Sequence, residues 1–560
     1  MSDSGLTLLV ETAARACRLS SAALALLLVV AGCGDSAPAP ATAPAPADGG
    51  VRTVNPAQTA SSDGSVEPPP PPPANDPPPG SPPAPKAGTP GNSDPGRVAN
   101  PAEFAGSLSN LGVRVVSIPA QDDDPARVAV YLDPRHVTDQ GMIRPNVLPG
   151  IGQVPNMVLV LDRTRFSARG LDGLKPLRFL VGLSLRHTPI DDAFVGGLAD
   201  LKSLKWVDLR DTRVTPGAAL TLFQDTSLES LRFPHGELQQ GELRLNQQCT
   251  DVELGQLARL TDAGILSLNL ADSQITDTGL TRLAQLAKLQ SLDLSGTAVT
   301  DTALASLSRF PALVELNLAD TATGDAGLAA IAGLTDLEDL DLADTRVTDT
   351  GLGKLAACTR LKRLILAGTA VTGSGLAALK GLNQLAELEL SRSDVTGNEL
   401  ETLAPFSKLN SLGLDEINLV TEDLSALCRT LSFQSLSLAN TGLGDEILGL
   451  LAEQQQLESL VLSGCPITAA GLAKLAPAPA LTALWLDRTK LDAAAGDSLQ
   501  ELDRLTYLSL QGSSIPSASV SSLRQRLPGC VIDYPISPLL LALETSRGNM
   551  PAALGKLGTV

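Results

Sequence analysis

The chain has 560 residues, a formal net charge of -19, a pI near 4.6 and only 2% aromatic residues. That balance excludes a nucleic-acid binder held by phosphate contacts, and adsorption to anionic lipid through basic residues; its plain reading is solubility. Seven cysteines without a C-x-x-C pair argue against a disulfide framework, and Cys249, Cys358 and Cys530 fall on apolar positions where a small buried residue is expected.

Residues 1–32 read as an export signal. Arg15 and Arg18 precede an apolar run from Ala22 to Val30, which is too short for a permanent membrane span. The run ends Val30-Ala31-Gly32-Cys33, which resembles a lipobox and implies acylation of Cys33 after cleavage. An ordinary cleaved signal with an incidental Cys33 is the alternative. Residues 33–100 are rich in Pro, Ala, Gly and Ser and include the run Pro68 to Pro73. Such a segment cannot bury a core and is expected to act as a disordered, semi-extended tether. Residues 101–127 read as an N-terminal cap, with a helix from Pro101 to Leu111 and a strand over Val113–Val116. A cap is needed because the first strand of a stack exposes both its edge and its core.

From residue 128 to 534 one phrase recurs. Its early copies centre on Val130/Leu132, Leu159/Leu161, Leu183/Leu185, Val207/Leu209 and Leu231/Phe233. Steps of 29 residues to Leu161 and 37 residues from Phe233 to Leu270 break the spacing. The second step holds an insertion at 234–246, expected to form a loop and to be a possible binding feature. From Leu268/Leu270 to Leu508/Leu510 the pair returns every 24 residues without a slip. The last strand is expected at Cys530–Ile532. Residues 535–560, with the apolar patch Pro538-Leu-Leu-Leu-Ala-Leu543, form a tail or a C-terminal cap.

A single unit, Leu289-Gln-Ser-Leu292-Asp-Leu294-Ser-Gly-Thr297-Ala-Val299-Thr300-Asp301-Thr-Ala-Leu304-Ala-Ser-Leu307, shows the logic. Leu292 and Leu294 alternate with polar residues, which is strand periodicity with one apolar face. Thr300-Asp301 opens a short helix, with a side-chain oxygen to cap its first N–H groups and a carboxylate at its positive end. Leu304 and Leu307 share one helical face. One unit buries about seven apolar side chains at roughly 1.5–3 kcal/mol each. Ordering its backbone costs about 1–2 kcal/mol per residue, so a single unit cannot fold while a stack can. The expectation is an α/β solenoid of about seventeen parallel strands at roughly 4.8 Å spacing, forming a concave sheet with short helices on the convex face.

The phrase L-x-x-L-x-L-x-x-T-x-V-T-D-x-G-L resembles the leucine-rich repeat family, in the bacterial type that is similar to the repeat half of F-box receptors. The resemblance implies a horseshoe that binds protein or peptide ligands. It departs from the family where the usual Asn after the strand is Thr or Ser, as at Thr297, Thr321, Thr345, Thr369, Ser393, Thr441 and Thr489, and where Ile417 and Cys465 break the polar column. No other F-box signature is present.

Chemistry is not visible. His136, His187 and His235 lie in separate repeats without ligands at metal spacing, and no nucleophile elbow or phosphate loop occurs. The repeated Thr-Asp pairs read as helix caps. No cofactor, metal or enzymatic activity is expected. The outward strand positions supply a surface instead. Small residues Ser411, Gly413, Ser435, Ser437 and Ser459 form a floor, bordered by Glu387, Glu389 and Asp415 on one side and by Val461, Trp485 and Tyr507 on the other. Trp206 and Arg210 stand out in the early repeats. Aromatic residues and Arg on an exposed sheet are the types enriched at binding hot spots. The reading is a noncatalytic protein- or peptide-binding module, exported and lipid-anchored to the bacterial cell envelope on its periplasmic or outer side. A ligand-free envelope scaffold and an enzyme-associated subunit are the rival readings.

Overall fold

The computed structural model describes residues 108–118 and 126–534, except 227, 258–264 and 284–285. The signal at 1–32 with Cys33, the tether at 33–100, the start of the cap helix and the tail at 535–560 lie outside the described residues.

Twenty strands form one open sheet among the described residues, each paired with its neighbour in sequence. Seventeen are the repeat strands, one is the cap strand and two belong to the insertion. In the regular part each strand is three residues long, and its central leucine sits opposite the central leucine of the next repeat, as Leu268, Leu292 and Leu316 do. These leucines, and the second leucine of each pair, are essentially fully buried. The chain then turns in the left-handed region: every repeat from Asp272 to Gly512 has φ between +52° and +70° four residues past the central leucine. Eight of the eleven residues in this column are Gly, Asp or Asn, which enter the region at least cost; Arg392, Glu416 and Arg488 are the exceptions.

The Thr column is the polar seam of the core. Thr297, Thr321, Thr345 and Thr369 are buried, and each hydroxyl donates at 2.6 Å to the carbonyl of the leucine three residues before it. A buried hydroxyl is tolerated because its hydrogen bond is made. Cys465 keeps a thinner version of the seam, with Sγ 3.1 Å from the Leu438 carbonyl oxygen.

The Thr-Asp pairs do more than cap. Thr276, Thr300, Thr348 and Thr372 each cap their own helix. The carboxylate in the next position reaches forward one repeat instead, and Asp325, which follows Gly324, does so as well. Asp325 accepts from the Thr348 backbone N–H at 2.8 Å and from its hydroxyl at 2.7 Å. Asp251, Asp277 and Asp349 do the same for Thr276, Thr300 and Thr372. The helix Gly of the motif leaves room for this carboxylate: a methyl on Gly351 would stand 2.4 Å from an Asp325 oxygen. Ala303 holds the same place in another repeat, so the staple can yield to a methyl.

The cap strand Arg114–Ile118 runs antiparallel to Arg127–Tyr131 and covers the first edge of the repeats. His136 ties cap to repeat. It is 4% exposed, its Nδ1 accepts from the Asp133 N–H, and its Nε2 therefore donates to the Leu111 carbonyl at 2.9 Å. The 234–246 insertion is not a loop. It is a hairpin, Gly236–Gln239 and Glu242–Leu245, that joins the sheet between two repeat strands. Leu238 and Leu243 are fully buried, so hydrophobic burial draws the insertion into the stack. Cys249 and Cys358 are buried, but Cys530 is half-exposed.

Candidate binding face

Two side chains per strand point out of the sheet, one on each side of the central leucine. Register sets them in two rows. At the C-terminal end one row runs Ser437, Val461, Trp485, Ser509 and the other runs Ser435, Ser459, Ala483, Tyr507, Val531. Trp485 and Tyr507 are diagonal neighbours with ring centroids 5.1 Å apart and planes tilted by 41°. Both are half-buried, Val461 lies beside Trp485, and Val531 is 47% exposed next to Tyr507. Ala483 and the serines project little, so this is a shallow apolar shelf with one aromatic pair standing on it.

The acidic border differs from expectation. Glu389 does not face solvent: it is 5% exposed. Its carboxyl folds over Gly413 of the next strand, where a methyl would stand 1.9 Å from Oε2. Oε1 accepts from the Ser391 N–H at 2.9 Å, while Oε2 has no partner. Burial pushes its pKa up to about 7. Asp415 is engaged too, accepting from the Ser437 hydroxyl and from the Ala439 N–H at 2.8 Å, and burial raises its pKa. Glu387 lies 3.3 Å from Arg363, which also pairs with Asp339 at 3.0 Å. The floor is also deeper than its small side chains suggest, since Ser437 and Ser459 are buried. Of the three carboxylates Glu387 and Asp415 stay partly exposed, and only Glu387 is free of a bond into the turns.

The same capture of carboxylates recurs along the sheet. Asp293, Asp341 and Asp208 accept from the N–H two residues on, at 3.0, 2.9 and 3.1 Å. Where a strand has Ser at that position, the carboxylate comes from the preceding repeat: Asp162 serves Ser184 and Arg186, Asp415 serves Ser437 and Ala439, and Asp487 serves Ser509 and Gln511. These acids complete the backbone hydrogen bonding of the turns. At the other end Arg210 holds Asp208 in a two-point pair, with Nε to Oδ1 at 3.0 Å and the second bond at 2.7 Å. Trp206 lies half-buried in the row beside it.

A model of the leucine-rich repeat matches at residues 265–284, 285–308, 333–356 and 454–476. The same register and turn run through every unit between them. The repeat units are leucine-rich repeats. No curated protein matches the chain in sequence. Among solved structures, a leucine-rich-repeat protein of Leptospira interrogans is similar at 20% identity and a TM-score of 0.40, over 69% of this chain and 97% of that one. An internalin from Listeria monocytogenes is similar at 19% identity and a TM-score of 0.33, over 65% and 83%. A plant peptide hormone receptor is similar at 15% identity and a TM-score of 0.33, over 72% and 76%.

Within this leucine-rich-repeat sheet the structure brings Val461, Trp485 and Tyr507 together and leaves Trp206 and Arg210 at the far end. Sequence reasoning missed Ala483 and Val531, which extend the aromatic shelf. Their signal was their position: each flanks a central apolar residue of a strand. Among the described residues no helix is long and apolar enough to cross a membrane, and no group of three His, Cys, Asp or Glu is placed to hold a metal ion.

Proposed function

We propose that the chain is a noncatalytic binding module whose leucine-rich-repeat sheet holds an extended protein or peptide segment on the shelf of Val461, Ala483, Trp485, Tyr507 and Val531. The observation that carries this reading is the Trp485–Tyr507 pair, half-buried on small residues, in a chain with two tryptophans and three tyrosines. Large rigid aromatics on a shallow floor offer contact area at little conformational cost. With Glu389 and Asp415 turned inward, the partner's apolar side chains supply the main contact, and Glu387 favours a cation beside them. Trp485→Ala is expected to weaken partner binding by about 2 kcal/mol or more. The check is cross-linking capture from intact cells by the wild-type repeat region and by the Trp485→Ala variant, followed by titration of the captured partner. Equal affinity for both variants overturns the site, and a sheet face tolerant of alanine throughout supports the scaffold reading instead.

Display from the bacterial envelope is part of the same proposal. It is supported by the apolar run ending Val30-Ala31-Gly32-Cys33 and the Pro-rich stretch behind it. One acyl chain binds a membrane only marginally whereas several hold firmly. Cys33→Ala is expected to release the protein from the membrane fraction or block its maturation, and a wild-type protein without lipid by mass spectrometry ends the idea.

A further inference from the structure

At the opposite end of the sheet a second apolar shelf is built around Trp206. Register places Ala129, Val158, Gly182 and Trp206 in one row and Tyr131, Val160, Ser184 and Asp208 in the other. A methyl built on Gly182 would stand 3.1 Å from the indole Cε3 and 3.0 Å from a Val158 methyl. The missing side chain at 182 is therefore what lets the ring bed down against Val158. Tyr131 remains 36% exposed, with the Arg114 guanidinium 5.0 Å above its ring.

The rim of this shelf is basic. Arg186 and Arg210 occupy the same place in consecutive repeats, and Arg232 stands opposite Asp208 on the next strand. Their acids do not mask them equally. The Asp208 side chain is 3% exposed and that of Arg210 40%, so the guanidinium meets solvent above its own carboxylate. Arg186 lies 3.6 Å from Asp211 with its Nε buried and without a hydrogen bond, and the Arg232 Nε faces a Glu237 oxygen at 3.2 Å. Residues 126–246 carry 15 Lys or Arg against 13 Asp or Glu, whereas residues 247–534 carry 19 against 35. The net acid of residues 247–534 disfavours an acidic segment there, and the exposed Arg210 guanidinium favours one at this shelf.

We propose that this shelf is a second docking site, distinct from the Trp485–Tyr507 site, for an extended segment bearing Asp or Glu beside an apolar side chain. The apolar group lies on Trp206 and Val160, and the carboxylates meet Arg186, Arg210 and Arg232. The proposal stands independently of the reading of the C-terminal shelf.

The two tryptophans make each end separately readable. In the full-length protein with Trp485→Phe, Trp206 is the single indole; with Trp206→Phe, Trp485 is. The probes are a synthetic peptide alternating Asp and Leu, and its Lys/Leu counterpart. The Asp/Leu peptide is expected to shift Trp206 emission saturably, the Lys/Leu peptide not, and the protein whose indole is Trp485 is expected to stay silent toward Asp/Leu. Arg186→Gln should weaken binding about tenfold, and so should salt at about 0.5 M. Removing Arg210 alone would strand the buried Asp208, so Arg210→Gln is combined with Asp208→Asn, and circular dichroism confirms folding. No saturable Trp206 response, an equal response to both peptides, or an affinity unchanged in both arginine variants overturns the proposal.

Discussion

Residues 126–246 and 247–534 use the same repeat but satisfy it differently. The first region has steps of 29 and 37 residues, an inserted hairpin and nearly balanced charge; the second keeps a 24-residue step and carries almost all the excess acid. Regular spacing is what makes the difference useful. A carboxylate one repeat back finds the same N–H, and a hydroxyl wherever Thr follows, so Asp251, Asp277, Asp325 and Asp349 form a ladder, while Asp301 reaches only the Gly324 N–H. Others are drawn into the turns, as Asp293, Asp341 and Glu389 are. Much of the acidity of the regular region is thus consumed inside the fold. Ion pairs stand on the sheet face in both regions, Arg210–Asp208 and Arg232–Glu237 in the first and Arg363 with Asp339 and Glu387 in the second. Net charge by itself therefore does not locate a binding site; exposed charge does.

The largest effects test whether the hairpin belongs to the core as fully as the regular strands. Leu342 and Leu238 are both fully buried. Leu342→Ala is expected to cost about 2–5 kcal/mol as a cavity in the regular stack, and Leu238→Ala a similar amount. Denaturant titration of the two variants is the check. A cost well under about 1 kcal/mol for Leu238→Ala would mean the hairpin is an appendage rather than part of the sheet.

The next effect is a gain. Glu389 binds its proton more tightly when folded, with a pKa of about 7, than it does at its ordinary value of 4.5. The sign follows directly: between those two values the folded state carries the extra proton, so stability falls as pH rises from about 4.5 through 7. Glu389→Gln keeps an acceptor for the Ser391 N–H and removes the buried charge. It is expected to be more stable than wild type by about 3 kcal/mol at about pH 8, and equal to it below about pH 4.5. Stability measured across that range decides the matter. A variant less stable than wild type at the alkaline end would show that the carboxylate is compensated after all.

Much of this architecture is legible in the residues themselves. The Leu-x-Leu pairs give the strands, and Thr300 and its equivalents give the helix starts. Two features escape a reading by period alone. The hairpin hides in an apparent insertion, although Leu238 and Leu243-Arg-Leu245 alternate on either side of Gln240-Gly241, which turn with φ of 51° and 82°. Two residues ending in Gly between alternating runs fit a two-residue hairpin turn, but Gln in place of the usual Asn, Asp or Gly weakens the signal. Glu389 escapes because strand alternation says only which way a side chain leaves the backbone. Whether it then lies down depends on the next strand, and Gly413 leaves the space. The availability of Glu387, Glu389 and Asp415 was a question of neighbours 24 residues away, which a single strand does not contain.

The smallest effect compares the ladder at its two extremes. Asp325 and Thr348 are part-buried in the regular stack, whereas Asp192 makes the same two bonds to Thr215 near the irregular end, where Asp192 and the bonds themselves are exposed. Removing either carboxylate leaves a backbone N–H and a hydroxyl without their acceptor. Water can replace it freely at Thr215 and only poorly at Thr348, where the neighbouring repeats close over the bond. Asp325→Ala should therefore cost about 1–1.5 kcal/mol, the upper range of an ordinary lost hydrogen bond, and Asp192→Ala about 0.5 kcal/mol or less. Asp325→Asn keeps one acceptor for the N–H and should recover part of the difference. Urea titration of the three variants gives the comparison. Equal losses at both positions would show that the ladder owes nothing to burial, and that the regularity of the second region contributes through packing of its leucines alone.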